Sequence, residues 1–196
     1  PALPKPPIRS FAILCRRGVH AFVALGCLAG SLALAARHPL APLPVAALCI
    51  GWALACWRWP LAWLFAIPAA LPVLSLAPWT GWVAADEFDL ALLATLAAGH
   101  LRLAVRALPA PPDAATRALW RRIDLLCLAA WAWLLLGLAL GWADAQQPPA
   151  GLAEEATAFA NSLRVAKSLA FALLAVPLLR AALLQAPQRA QRLLCQ

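Results

Sequence analysis

The chain has 196 residues, 64% of them hydrophobic and 12% charged, with a formal net charge of +8. A soluble domain carries about 25% charged residues, so this chain has too little polar surface to cover a water-soluble globule. A positive balance of this size in a soluble protein would point to nucleic acid. Here the basic residues gather at the ends of apolar segments, where they report orientation, and no nucleic-acid partner is expected.

The mean hydropathy of +0.79 agrees with a membrane protein. None of the cysteines, Cys15, Cys27, Cys49, Cys56, Cys127 and Cys195, forms a CxxC pair. Four lie inside apolar segments, where Cys behaves as a small hydrophobe, so neither a disulfide framework nor a thiolate metal site is expected. Cys49 and Cys56 are spaced to share a helix face. The abundance of Ala, Leu, Pro, Arg and Trp, with no Tyr or Met, fits a GC-rich bacterial genome and a bacterial inner membrane.

Six segments approach the roughly 20 apolar residues that cross a bilayer as a helix. The expected fold is all-α: one polytopic transmembrane bundle of about six spans over residues 18–184. Residues 1–17 form a proline-rich basic tail, read as cytoplasmic and retained. Span one runs from Gly18 to Ala36 and carries a GxxxG spacing at Gly26 and Gly30 that permits close helix approach. Leu43 to Trp57 and Pro60 to Ala77 form a tight hairpin; Pro68 and Pro72 each remove a donor from its second helix. Trp52, Trp57, Trp59 and Trp63 crowd the hairpin turn like an interfacial belt.

Residues 78–87 cross the outer surface, with Trp79 and Trp82 around Thr80 and Gly81. Asp86, Glu87 and Asp89 then open span four, Phe88 to Val105. Acidic groups there cap free N–H groups and oppose the helix dipole; a carboxylate cluster for a cation or polar headgroup is the alternative. His100, Arg102 and Arg106 lie near the cytoplasmic end, where the arginines can snorkel. The internal loop 108–123 holds Asp113, Arg117, Trp120, Arg121 and Arg122 and suits a short helix on an anionic membrane surface. Span five covers Asp124 to Trp142, the second outer loop 143–162, and span six Leu163 to Leu184. Residues 185–196 form a cytoplasmic tail.

With the N-terminus cytoplasmic, thirteen of the sixteen Lys and Arg residues fall in the inner segments, as the positive-inside rule requires. Arg37, Arg164 and Lys167 remain outside. Arg164 and Lys167 are three apart, on one helix face, at the start of an apolar helix where a cation meets the wrong dipole end. Three readings stand: pairing with Asp86, Glu87 and Asp89; holding an anion such as a phosphate; or snorkelling. The candidate ligand-binding set is Arg164, Lys167, Asp86, Glu87, Asp89, Trp79 and Trp82.

The stretches Ala70 to Arg102 and Asn161 to Arg180 resemble the N-terminal membrane region of bacterial O-antigen ligase or polymerase-like proteins. The shared features are the proline-rich approach, the aromatic turn with Thr80-Gly81, the Glu87-Phe88-Asp89 step, and Leu163-Arg164 followed by Lys167. The resemblance implies surface-polysaccharide assembly at the outer face of the inner membrane, on a polyprenyl-phosphate-linked glycan. Those enzymes have more spans and a large outer loop with catalytic Arg and His, so no catalytic residue is carried over.

No P-loop, G-x-S-x-G or H-E-x-x-H motif is present. His20, His38 and His100 are far apart in sequence and expected near opposite membrane faces, so no shared metal site is expected. Each of His20 and His100 can ligate a haem or pigment singly, but the sequence selects no cofactor. Two functional readings result. One is a protein of lipid-linked glycan handling that binds an anionic carrier at the outer face. The other is a non-catalytic subunit packed against other membrane subunits, with membrane lipids around it.

Overall fold

The computed structural model describes residues 7–76, 86–106, 113–145 and 152–188, and the side chains of 14–74, 86–106, 113–142 and 166–188. Six helices and no strand are found among them: α1 (Pro7–Ala36), α2 (Pro42–Arg58), α3 (Ala62–Leu76), α4 (Glu87–Val105), α5 (Ala114–Ala145) and α6 (Leu152–Gln185). Four carry stretches long and apolar enough to cross a membrane: Leu14–Ala36, Glu87–Val105, Ala114–Trp142 and Ala166–Gln185. At 1.5 Å per residue, α2 with 17 residues and α3 with 15 reach only about 25 and 22 Å.

The helices begin earlier than apolarity alone suggests. α1 starts at Pro7, α5 at Ala114 and α6 at Leu152, so polar and apolar parts form continuous helices. The separate surface helix expected before span five is the first part of α5. Asp113 caps it, accepting from the Thr116 amide. That bond holds the Asp113 carboxyl below its usual range.

α4 is the centre of the bundle, with half of its apolar stretch buried against a sixth of α6 and less of α5. Ala94, Thr95, Ala97 and Ala98 are among its buried side chains, and small residues there let neighbouring backbones approach closely. α1 runs antiparallel to it: His38 meets Glu87, Ser31 meets Leu90, Gly30 meets Leu93 and His20 meets His100. Of the GxxxG pair, Gly30 therefore faces α4, while Gly26 faces open space.

α2 runs parallel to α4. Trp52 pairs with Thr95, and the Arg102 guanidinium reaches the Trp57 carbonyl at 2.8 Å. α6 is parallel to α4 as well, from Asp89 and Lys167 to Leu103 and Ala181 in one apolar cluster with Cys27, Leu96 and Leu178. α5 packs only on α6 among the described helices. Cys49 and Cys56 are both buried.

The tryptophans around the hairpin do not form one belt. Trp59 is 61% exposed, but the Trp52 indole donates to Thr95 at 2.7 Å and Trp63 packs on the central cluster. Arg102 does not simply snorkel: its guanidinium caps a carbonyl in the last turn of α2, where a cation opposes the negative dipole end.

Gly99 sets the spacing of α4 and α6, because a methyl group added there would lie 2.6 Å from Leu178 Cγ. Overpacking of this kind costs about 1–3 kcal/mol. Gly99→Ala is therefore expected to lower the unfolding midpoint of the detergent-solubilised protein. Adding Leu178→Ala to the same chain should recover part of the loss.

Candidate functional site

Polar groups gather at the two ends of α4. At the acidic end, Asp86 and Asp89 form a reciprocal cap. The Asp89 amide donates to Asp86 Oδ1 and the Asp86 amide to Asp89 Oδ2, each at 2.9 Å. Two helix-start donors are satisfied in this way. Lys167 of α6 donates its ammonium to the same Asp89 carboxylate, with side-chain exposures of 19% for Lys167 and 6% for Asp89. His38 follows α1; its Nε2 lies 3.8 Å from Glu87 Oε1, while its Nδ1 accepts the Ala41 amide at 3.3 Å.

This end thus brings together Asp86, Glu87, Asp89 and Lys167 of the sequence-derived set. Trp79 and Trp82 lie outside the described residues, as does the Arg164 side chain.

The other end holds an arrangement the sequence reading missed. His20 of α1 and His100 of α4 are both buried, with their Nδ1 atoms 3.0 Å apart and ring centroids 5.1 Å apart. His100 Nε2 lies 3.0 Å from the Leu174 carbonyl of α6. A carbonyl only accepts, so His100 Nε2 carries the proton there. In the neutral ring His100 Nδ1 is then bare, and His20 Nδ1–H must be the donor to it. The chain of bonds leaves His20 Nε2 over, a buried atom with no partner among the described residues.

The three histidines do divide between the two ends, His38 at the acidic end and His20 with His100 at the other; the direct pairing of His20 with His100 was not anticipated. The signal was present in the chain order. His20 lies in the first turns of the apolar stretch of α1 and His100 in the last turns of α4, which runs back, so both reach one end of the bundle.

Beside this dyad, α1, α5 and α6 enclose a cleft of about 620 Å³. Arg16, Asp124 and Arg180 line it toward one end of the bundle, and Leu128, Trp131 and Leu173 line it nearer the middle of α5 and α6. Arg180 Nη1 donates to Asp124 at 3.2 Å, and its guanidinium stacks 5.0 Å from the Trp120 ring. Arg180 Nε is buried without a partner among the described residues. His20 Nε2 and Arg180 Nε thus belong to residues lining the same cleft.

Chemically, the dyad is not a through-going proton wire, since its inner end stops at a carbonyl. No group of three or more His, Cys, Asp or Glu side chains among the described residues could hold a metal ion.

No protein-family model matches the chain, and no curated protein and no solved structure is significantly similar to it.

The acidic-end pair is open to a direct test. Asp89→Ala removes the Asp89 half of the reciprocal cap and the partner of Lys167. Orphaning a buried charge costs up to about 3–5 kcal/mol, and losing a cap about 1 kcal/mol. The double variant Asp89→Ala, Lys167→Ala should unfold at a higher midpoint than Asp89→Ala alone. Equal midpoints would show that the ion pair contributes nothing.

Proposed function

We propose that this chain is a non-catalytic subunit of a larger membrane assembly, crossing a bacterial inner membrane six times with both ends cytoplasmic. The observation that carries the subunit reading is the position of α5. Only 6% of its apolar stretch is buried, it packs on α6 alone among the described helices, and Trp133 stands 74% exposed. The same helix carries Gly137-Leu138-Ala139-Leu140-Gly141. A Cβ at Gly137 would meet nothing within 4 Å. Small residues four apart on a lipid-facing helix let a second backbone approach closely.

The six-crossing topology is supported by helix direction and charge. α2 descends beside α4 as far as Arg102, so it follows α4 through most of its depth despite its shorter length. Arg58, Arg102, Arg106 and Arg180 belong to one end of the bundle and Asp86, Glu87 and Asp89 to the other, the asymmetry expected of a cationic cytoplasmic face. In a cysteine-free background, Asp86→Cys should react with an impermeant maleimide in intact cells, and Arg122→Cys only after permeabilisation. Labelling of both from one side would refute the topology.

The second reading is lipid-linked glycan handling at the outer face, with a polyprenyl-phosphate carrier held by Arg164 and Lys167. The resemblance to O-antigen ligase-like proteins supports it. The ion pair with Asp89 weighs against it, because an incoming phosphate must compete with a carboxylate already in place. Purification from native membranes separates the two. A partner recovered at fixed stoichiometry, and lost in Gly137→Leu, Gly141→Leu, is expected for the subunit. A chain that purifies alone and binds undecaprenyl phosphate, with binding abolished in Arg164→Ala, Lys167→Ala, would replace that reading with the second.

A further inference from the structure

The cleft between α1 and α5 differs in kind from the rest of the bundle. No Cα of α1 comes within 8 Å of one of α5 among the described residues, so the two backbones stand apart, and α6 lines the space between them. Its polarity is graded. Arg16, Asp124 and Arg180 line the end of it that lies on the side of the bundle carrying most of the arginines. Leu128, Trp131 and Leu173 lie further in along the same helices. Asp124 and Trp131 are seven residues apart, about 10 Å along a helix, which is the distance over which the wall changes from charged to apolar. A site shaped in this way matches a molecule with an anionic head and a greasy tail.

The polar atoms left over define the head more closely. Two cations and one carboxylate give this end of the cleft a net single positive charge. Asp124 holds Arg180 by Nη1, which leaves Nε–H, buried and unpartnered, as a donor for an anion oxygen. Arg16 is exposed and one helical turn from His20 on the same face of α1. His20 is 8% exposed. Its Nδ1–H is committed to His100, whose own proton is committed to Leu174. His20 Nε2 is therefore an acceptor, and its missing partner is a donor such as a hydroxyl. Buried polar atoms left unpaired cost about 1–3 kcal/mol each, so a ligand that pairs both Arg180 Nε and His20 Nε2 gains from both.

We propose that this cleft is a binding site for an anionic phospholipid whose headgroup carries a hydroxyl beside its phosphodiester. Arg16 and Arg180 Nε–H hold the phosphate, His20 Nε2 accepts the hydroxyl proton, and the upper acyl chain lies along Leu128, Trp131 and Leu173. The role of His100 is positional: through Leu174 it fixes which nitrogen of His20 faces the ligand. The site uses Asp124 to Trp131 of α5 and not the Trp133 and Gly137–Gly141 stretch or the acidic end, so its failure would leave the subunit reading untouched.

The test uses the full chain in phosphatidylcholine nanodiscs, titrated with phosphatidylglycerol, phosphatidic acid and inorganic phosphate, and read by native mass spectrometry. One phosphatidylglycerol should bind at least about tenfold more tightly than phosphatidylcholine, the equivalent of one charge-assisted hydrogen bond. Arg16→Gln alters an exposed side chain and leaves the fold intact; it should weaken that binding severalfold. His20→Phe keeps an aromatic ring but removes both the acceptor and the donor to His100; where the unfolding midpoint shows the fold retained, it should erase the preference for phosphatidylglycerol over phosphatidic acid. A thermal unfolding midpoint measured alongside identifies any variant that has lost its fold, and the Arg16→Gln result then decides alone. Equal binding of phosphatidylcholine and phosphatidylglycerol, an unchanged affinity in Arg16→Gln, or saturable binding of inorganic phosphate with no lipid preference would each overturn the proposal.

Discussion

A polar group inside a bilayer must find its partner within the protein, because lipid tails offer none. In this bundle that constraint acts almost entirely through α4. Asp89 reaches Lys167 of α6, Thr95 takes the Trp52 indole of α2, His100 meets His20 of α1 and a carbonyl of α6, and Arg102 meets a carbonyl of α2. Each of these bonds joins α4 to a different neighbour or to a different level of the same one. Apolar packing in lipid has no hydrophobic drive between helices. The polar contacts therefore supply direction and register, while the small residues between them supply closeness.

The same helix explains why α5 is exceptional. It offers no described polar bond to α4, and its link to the bundle runs through α6, by Asp124 and Trp120 to Arg180. That contact lies near one end. From Leu125 to Leu140 the side chains of α5 are apolar, and many of them face outward. A helix held in this way is fixed in depth by its charged end and left free to accept a neighbour on its outer side.

Sequence reasoning reached the helical class, the placement of the apolar segments and the separation of cationic from acidic ends, because each depends on composition read along the chain. It offered the encounter of Lys167 with a carboxylate of the Asp86–Asp89 cluster as one of three readings for the same reason: both lie near the starts of apolar segments on one expected side. It did not reach His20 with His100, or Trp52 with Thr95. Those pairs depend on which faces α1, α2 and α4 turn to each other, and helices this uniformly apolar carry little periodicity to reveal a face. The tryptophans were misjudged on the same ground, since residue type alone does not distinguish a lipid-facing indole from one that donates across the bundle.

The two ends of α4 are built on opposite logic. At the acidic end, the Asp89 carboxylate meets both the cap amide and the Lys167 ammonium, so its charge is answered within the protein. At the cationic end the dyad has a direction. The Leu174 carbonyl fixes the proton of His100, His100 fixes the proton of His20, and the sequence of donors ends at an acceptor beside a cleft. A closed network holds helices together and needs nothing further. One that terminates in a buried lone pair next to an unpartnered guanidinium N–H is complete only with a molecule that supplies both a donor and a negative oxygen. Pro177 stands on α6 three residues beyond Leu174 and lines the same cleft. It removes a helical donor from the turn that presents that carbonyl. The proline turn of α6, the polarity of the dyad and the cleft thus converge on one place, the end of the bundle where the proposed ligand would sit.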